Sequence, residues 1–212
     1  MMYINSKPEE RKIAIIRDFI PDNCERILDL GCGNGLYGKF LKQKTRYLVG
    51  VDKNPELVNL CKFLPYYNEV HLKNIYPPFY FKRSEKQGST EPKAKHGSYQ
   101  TKFTVIWASE IIEHLPSLDI FGQLENLTTN LIIATLPNPL SPHFRRDSTH
   151  ILEYSARTLK FHLKRRKDWR YQIYGLGFEN VPIPRWLKKL NQKLLWHFPL
   201  LSPTILIVGR KN

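Results

Sequence analysis

A glycine-rich turn between two carboxylates is the first feature of the sequence that could do chemistry. An apolar run over 26–30 carries Asp29 near its end, and glycines then occupy alternate positions, namely Gly31, Gly33 and Gly35. Glycine is needed where a chain turns sharply and a ligand must lie against bare backbone. A second apolar run, over 47–51, ends at Asp52, where a carboxylate can accept hydrogen bonds from both hydroxyls of a ribose. The pattern predicts a site for an adenosine-containing ligand.

Ionisable side chains after a later apolar run, over 103–108, form a second group. If residues 110–115 form one helical turn, Glu110, Glu113 and His114 share a face. Acids in a first helical turn also favour the helix dipole, so local stability alone explains them equally well. His150 lies further along the chain, and either it or His114 is a candidate general base for a hydroxyl group.

Both groups require a scaffold that gathers strand ends, and the chain predicts one. Apolar strand-like runs alternate with helical patterns, which indicates an α/β fold with a mainly parallel sheet. Strands are predicted at 26–30, 47–51, near 70, and at 103–108, 131–136, 171–174 and 204–208. Four helices are predicted. The first opens at Ser6, the second follows the glycine turn and ends at about Lys44, the third opens at Pro55, and the fourth covers 184–196. Ligands bind beyond the carboxyl ends of such strands, so both groups are expected at one edge of the sheet.

Length and composition limit the organisation of the chain. The 212 residues suit one domain, expected over 1–212, and the polar stretch 82–102 is predicted to be a disordered or flexible insertion. The three cysteines have no metal-type spacing and indicate a reducing compartment, the cytoplasm. The sequence has no uncharged apolar run of about 18 residues, so no transmembrane segment is expected.

The net charge of +14 is concentrated near the C-terminus, where residues 140–212 contain 15 Lys or Arg against 4 Asp or Glu. Such a field attracts RNA, anionic lipid headgroups or phosphate-bearing substrates, although a solvated basic surface explains the same composition. The helix predicted over 184–196 is basic and amphipathic. That pattern is typical of core packing and also of contact with an anionic membrane.

The glycine turn, with Asp29 before it and Asp52 after it, resembles motifs I and II of the class I S-adenosylmethionine-dependent methyltransferases. The resemblance runs over roughly residues 24–210. It implies a Rossmann-like seven-stranded sheet, mainly parallel with the last strand antiparallel, and helices on both faces. It also implies S-adenosylmethionine as cofactor, with Asp29 and the three glycines around its methionine part and Asp52 on its ribose.

The resemblance implies three further cofactor contacts. Asn74 and Ile75 follow the third strand, where the family often contacts adenine, and Ser109 ends the fourth. A competing dinucleotide fingerprint over 33–38 also fits Asp52. It is less favoured because Asp29 would repel a pyrophosphate and the chain supplies only one mononucleotide-binding half.

The segment Glu110–x–x–Glu113–His114 is similar to the metal-binding segment of ubiquinone-type O-methyltransferases and of small-RNA 3′-end ribose methyltransferases. The RNA enzymes carry a later histidine, and His150, followed by Glu153, Tyr154 and Ser155, resembles it. By this resemblance two carboxylates and two imidazoles could hold Mg²⁺, Mn²⁺ or Zn²⁺ with positions left open. Similar segments also occur in methyltransferases that bind no metal.

Three functions are consistent with these features. The first is O-methylation of a small or lipid-linked metabolite, and the second is metal-assisted 2′-O-methylation of RNA ribose. The third is a non-catalytic protein that binds an adenosine ligand and acts as an interaction platform, because a fold alone never proves activity. Peripheral contact with an anionic membrane is compatible with the first.

Overall fold

A computed structural model describes residues 7–75, 102–141, 144–145, 147–151, 153–177 and 193–212, with side chains from residue 12 onward in the first helix. The predicted insertion at 82–102 therefore lies outside the described residues, apart from Lys102. Of the helix predicted over 184–196, only the end is described, and residues 193–197 are helical.

Helices and strands alternate along the chain as the sequence predicts. The helices are α1 (Lys7–Ile16), α2 (Gly38–Lys44), α3 (Pro55–Lys62), α4 (Ile120–Leu127) and α5 (Ala156–Leu163). The strands are β1 (Cys24–Leu30), β2 (Thr45–Asp52), β3 (Glu69–Leu72), β4 (Phe103–Ser109), β5 (Thr128–Pro137), β6 (Trp169–Leu176) and β7 (Thr204–Lys211). Short 3₁₀ helices cover Arg17–Phe19, Ile112–His114 and Pro199–Leu201.

The strands form one seven-stranded sheet in the order β3-β2-β1-β4-β5-β7-β6. Neighbours from β3 to β5 pair in parallel, whereas β7 pairs antiparallel with both β5 and β6. The predicted sheet, mainly parallel with an antiparallel last strand, is confirmed. The order places β1 between β2 and β4, so the carboxyl ends of these three strands meet in the middle of one edge.

Apolar layers cover both faces of this sheet. Successive strand residues point to opposite sides, so Ile27 belongs to one buried cluster and Leu28 to the other. Helices α1 and α2 contribute Ile16 and Leu41 to the first cluster, and α4 contributes Phe121 to the second. The predicted helices on both faces are therefore confirmed.

The junction between β2 and α3 shows how local sequence positions the site. The Asn54 side chain accepts hydrogen bonds from the backbone N–H groups of Glu56 and Leu57, and Pro55 occupies the first turn of α3. Asn as N-cap followed by Pro is a strong start signal for a helix. The helix therefore begins three residues after Asp52, which ends β2.

Two further properties of the described residues bear on earlier expectations. The three cysteines are free thiols and all are buried. Within the described ranges, no helix combines the length and the apolar character that crossing a membrane requires.

Candidate active site

The glycine turn is tied to β2 by its own backbone. The N–H groups of Gly31 and Cys32 both donate to the carbonyl of Val51, at 2.8 and 2.9 Å. All three motif glycines have positive φ, of 73°, 53° and 78° in chain order. Few other residues adopt this conformation without strain, so the backbone itself requires glycine here.

The surroundings of two of these glycines differ, and the difference indicates which one serves packing and which one a ligand could approach. A Cβ atom on Gly35 would lie 2.3 Å from the Leu64 Cδ1 atom, so this glycine allows α3 and its following turn to approach closely. Among the described residues, a Cβ on Gly33 would meet nothing nearer than the Gly31 carbonyl oxygen at 4.0 Å. Gly33 therefore faces open space, where a ligand can lie against the main chain.

Asp52 joins this turn to the start of α3. Its Oδ2 atom accepts from the Gly33 N–H at 2.9 Å, and its Oδ1 atom accepts from the Asn54 N–H at 2.9 Å. An ionised carboxylate has about four acceptor positions, so two remain for ribose hydroxyls. The carboxylate is thus oriented before any ligand arrives.

A cleft of about 630 Å³ opens beside Asp52, at the carboxyl ends of β2 and β3. Small-molecule sites commonly measure about 300–1,000 Å³. The cleft is lined by Lys53, Asn54, Pro55, Glu56, Leu72, Lys73 and Asn74. The two predicted adenine contacts therefore differ: Asn74 lines the cleft, whereas Ile75 is only 3% exposed and packs into the core.

Asp29 lies beneath the turn. Its side chain is 2% exposed, and its Oδ2 atom accepts a hydrogen bond from the Tyr67 hydroxyl at 2.7 Å. Burial raises the pKa of Asp29 to about 7, although the Tyr67 hydrogen bond acts against that rise. Tyr67 also fills the space below Gly38 and Gly50, where added Cβ atoms would lie 2.9 and 3.0 Å from its ring. Sequence reasoning missed Tyr67, because neither member of the Tyr66–Tyr67 pair in a loop signals a contact with Asp29.

The raised pKa predicts how Asp29 changes stability with pH. The folded state holds this proton up to about pH 7 and the unfolded state releases it near 3.8, so the stabilisation is full below pH 3.8 and is lost as pH rises through 7. We expect the unfolding free energy of the wild type, minus that of Asp29→Asn, to fall by about 3 kcal/mol between pH 5 and 8, at about 1.4 kcal/mol per pKa unit. Urea titrations across this range measure it, with the exposed Asp18→Asn as control. Parallel profiles for the wild type and Asp29→Asn would show that Asp29 is ionised in the folded protein.

At the end of β4 the structure corrects one prediction. Glu110 has a φ of 52°, in the left-handed region, and the 3₁₀ helix begins only at Ile112. The expected helical turn over 110–115 is therefore wrong, and Glu110 does not share a face with Glu113 and His114. The cause is the Glu110 N–H, which donates to the Thr135 carbonyl at 2.8 Å and extends the pairing of β4 with β5 by one residue.

Glu110 instead belongs to a polar chain across the strand ends. Its Oε1 atom lies 3.3 Å from the Nζ atom of Lys12 and accepts from the Thr135 hydroxyl at 3.1 Å. The Thr135 hydroxyl is 2.9 Å from the hydroxyl of Ser109, which in turn donates to the Tyr37 hydroxyl at 3.3 Å. Ser109, predicted as a cofactor contact, thus lies in a network that reaches from α1 to the glycine turn.

Three of the four predicted metal ligands come together. Ligand atoms of Glu113, His114 and His150 all lie within 4.8 Å of one another. The Glu113 Oε1 atom is 4.0 Å from the Nε2 atom of His114 and 3.9 Å from that of His150. These distances are too long for hydrogen bonds but suit two ligands of one ion, since metal–nitrogen distances near 2.1 Å leave ligand atoms about 3–4 Å apart.

Backbone carbonyls orient both imidazole rings. The Nδ1 atom of His150 lies 2.8 Å from the Phe144 carbonyl oxygen, and the Nδ1 atom of His114 lies 3.1 Å from that of Thr149. A carbonyl can only accept, so it fixes the proton on Nδ1 in a neutral ring and leaves the Nε2 lone pair free. This is the arrangement that orients histidine ligands in metal sites.

Glu113 is 1% exposed, and within the described residues neither of its carboxylate oxygens has a hydrogen-bond partner. Burial, reinforced by the nearby charge of Glu110, raises the pKa of Glu113 to about 9. A buried carboxylate without a partner is costly, and a bound cation is one of the few groups that could satisfy it. The residues therefore fit a divalent metal, without Glu110. Asp147, which sequence reasoning missed, has its Oδ2 atom 3.8 Å from the His150 Nε2 atom.

Comparison with known proteins identifies the fold family. A family profile described as a methyltransferase domain matches residues 6–193. The chain belongs to this methyltransferase family. The predictions of a class I methyltransferase, of an enzyme and of S-adenosylmethionine as its cofactor are confirmed.

Individual relatives of the methyltransferase are distant. The ubiquinone biosynthesis O-methyltransferase of Azorhizobium caulinodans is 30% identical over 115 residues, which span 52% of this chain but only 40% of that relative. A solved S-adenosylmethionine-dependent methyltransferase from Archaeoglobus fulgidus superposes with a TM-score of 0.58 at 18% identity, covering 96% of this chain and 94% of the other. The small RNA methyltransferase HEN1 superposes with a TM-score of 0.64 at 15% identity, covering 100% of this chain and 26% of the other. At these identities the superpositions establish a shared fold.

Proposed function

We propose that this methyltransferase methylates a hydroxyl group of a small or lipid-linked acceptor with vicinal hydroxyls, and that Glu113, His114 and His150 hold a divalent cation beside it. The observation that carries the proposal is the buried carboxylate of Glu113, unpaired among the described residues and approached by two imidazole Nε2 atoms at 3.9–4.0 Å. Without a cation this side chain keeps its proton, as its raised pKa indicates, and a bound divalent cation would displace that proton and neutralise the carboxylate.

The cofactor half of the reaction rests on residues of β1, β2 and the loop after β3. Asp52 would hold the ribose, the backbone at Gly33 the methionine part, and Asn74 the adenine. When bound, the cofactor supplies a methyl group that its sulfonium makes electrophilic. The chain itself must then orient the acceptor and exclude water.

The donor set of the cluster also indicates which ion suits it. Of the three predicted ions, two imidazoles with one carboxylate suit Zn²⁺ best, whereas Mg²⁺ and Mn²⁺ favour oxygen ligands. A divalent cation at this place would bind vicinal hydroxyls and lower the pKa of the attacked one. Without a cation, His150 remains the candidate base, since its Nδ1 contact with Phe144 leaves Nε2 able to accept a proton.

Methylation of RNA ribose is the second candidate. It is supported by the same cluster and by the net charge of +14, which attracts a polyanion. The relative named for O-methylation matches by sequence, whereas HEN1 matches by fold at 15% identity. The small or lipid-linked acceptor is therefore proposed first.

The deciding experiment compares two soluble acceptors in metal-free protein. We expect methyl transfer to a catechol after addition of Mn²⁺ or Zn²⁺ and its loss on chelation. Methylation of single-stranded RNA in place of the catechol, abolished by a 3′-terminal 2′-deoxy residue, would favour the second candidate. Full catechol methylation in chelator-treated protein would overturn the metal role.

Lys12 offers a further test of the cofactor site. Its side chain is buried, and its Nζ atom lies 3.3 Å from Glu110 at the end of β4. The next residue after Glu110, Ile111, packs against the glycine turn, because a Cβ on Gly31 would lie 2.9 Å from its side chain. We propose that Lys12 binds the carboxylate of the methionine part. Lys12→Met should weaken S-adenosylhomocysteine binding roughly 10- to 100-fold, the value of a charge-assisted hydrogen bond.

Calorimetry with two ligands makes the Lys12 test specific. Methylthioadenosine lacks the amino-acid carboxylate, so its affinity should be the same for Lys12→Met and the wild type. The exposed Lys39→Met serves as the matched control for loss of one positive charge. An equal loss of affinity for both ligands would assign Lys12 a structural role instead.

A further inference from the structure

A second surface, away from the metal cluster, exposes apolar side chains at the same edge of the sheet. The 3₁₀ helix Pro199–Leu201 and the segment before it present Phe198, Leu200 and Leu201 to solvent, and Leu201 is 66% exposed. Leu140, 71% exposed, follows β5 nearby. We call these four residues the apolar turn. Single exposed apolar residues are ordinary, but a group on one turn marks an interaction site.

A buried amide holds the apolar turn in shape. The Nδ2 atom of Asn138 donates to the carbonyls of Pro199, Leu200 and Ser202, at 3.1, 3.1 and 2.8 Å. The Asn138 Oδ1 atom accepts from the Leu140 N–H at 3.1 Å, so both parts of the turn are fixed to one side chain. The exposed leucines are therefore presented by an ordered backbone.

Helix α5 lies beside this turn and carries positive charge outward. Its buried residues are Ala156, Leu159 and Leu163, so the opposite face presents Arg157, Lys160, Phe161 and Lys164, all exposed. The helix contains no acidic residue. An apolar turn next to a row of basic side chains matches a surface that is apolar inside and negative at its boundary.

The apolar turn also lies at the same carboxyl-end edge of the sheet as the proposed catalytic centre. Leu140 follows β5, which pairs with the strand that leads to Glu113. The exposed Ile151 donates its N–H to the Glu113 carbonyl at 2.9 Å. Anything bound by the apolar turn and α5 would thus face the same edge as the acceptor.

We infer that the apolar turn and the basic face of α5 form a docking surface for an anionic lipid bilayer. Leu200, Leu201 and Phe198 enter the boundary of the acyl chains, and Arg157, Lys160 and Lys164 contact the headgroups. RNA would match the charge but would leave the leucines in water. The link to a lipid-linked acceptor rests on the proposed function, whereas docking itself does not.

Co-sedimentation with vesicles tests the docking surface. We expect binding to phosphatidylcholine vesicles that contain about 30% of the anionic lipid phosphatidylglycerol. Binding to vesicles of phosphatidylcholine alone should be weak. Leu200→Ser with Leu201→Ser should lower the binding constant roughly tenfold or more. Lys160→Gln with Lys164→Gln should lower it and flatten its dependence on salt. Phe63→Ser is the matched control. Phe63 is 88% exposed and lies before β3, the outer strand at the end of the strand order opposite to β6 and β7.

Two further measurements keep the outcomes distinct. Brominated lipid should quench the tryptophan emission of Leu200→Trp more strongly than that of the wild type, which has four tryptophans of its own. This additional quenching should weaken as salt is raised, which a misfolded variant would not reproduce. All binding is measured in chelator without cofactor, so failure of the metal proposal leaves it unchanged, and failure of docking leaves catechol methylation unchanged. Unaltered vesicle binding by the double serine variant overturns the inference. So does self-association, or RNA binding without vesicle binding, that depends on the same residues.

Discussion

Glu113→Gln should reduce metal-stimulated methyl transfer at least about 100-fold. Loss of a group that only orients a metal ligand typically lowers metal affinity or activity about 10- to 100-fold, and loss of a ligand itself should lower it further. The substitution keeps the size of a side chain that is 1% exposed and removes a carboxylate for which the described residues provide no hydrogen bond. The fold should therefore survive, with an unfolding midpoint near that of the wild type.

Metal content provides a readout for Glu113 that does not depend on the acceptor. We expect one bound Zn²⁺ or Mn²⁺ per wild-type chain by elemental analysis after dialysis, and almost none for Glu113→Gln. Glu153→Gln is the matched control, because Glu153 is exposed in the segment that follows His150. If Glu113→Gln retained both metal and activity, the cluster would be structural.

The second large effect concerns Asp52. Asp52→Ala should weaken S-adenosylhomocysteine binding roughly 100-fold or more, since charge-assisted hydrogen bonds contribute about 1.5–3 kcal/mol each. The substitution removes the acceptor for ribose and also the two hydrogen bonds, each 2.9 Å long, that join Gly33 and Asn54 to the carboxylate.

A deoxy ligand separates these two roles of Asp52. The wild type should bind 2′-deoxy-S-adenosylhomocysteine more weakly than the parent ligand, and Asp52→Ala should bind both alike. Asp22→Ala, at an exposed position before β1, is the control for loss of one negative charge. Undiminished discrimination by Asp52→Ala would mean that another residue holds the ribose.

The cofactor half of the site could be predicted because its signals are local. Positive φ at Gly31, Gly33 and Gly35 follows from a glycine pattern, and the start of α3 follows from Asn54 and Pro55. The mainly parallel sheet also follows from the alternation of strand and helix patterns, because parallel neighbours need a crossover connection between them. Such features depend on neighbours in sequence.

The acceptor half could not be predicted in full because it depends on contacts between distant segments. Lys12 reaches Glu110 across 98 positions of the chain, and nothing near either residue signals the other. The left-handed backbone at Glu110 belongs to a residue type that rarely adopts it, so the periodic pattern gave the wrong face. Asn138 resembles any loop asparagine until its three carbonyl partners, all more than 60 positions away, are known.

The central position of β1 has a consequence for how such a protein can diversify. Apart from Lys12 and Ser109, the proposed cofactor contacts come from β1, β2 and the segment after β3, on one side of the sheet order. Glu113, His150 and the apolar turn follow β4, β5 and the segments beyond them. Loops on the second side can be exchanged while the nucleotide half stays intact. Grafting the segments after β4 and β5 from a relative with another acceptor is therefore a direct route to altered selectivity at constant cofactor affinity.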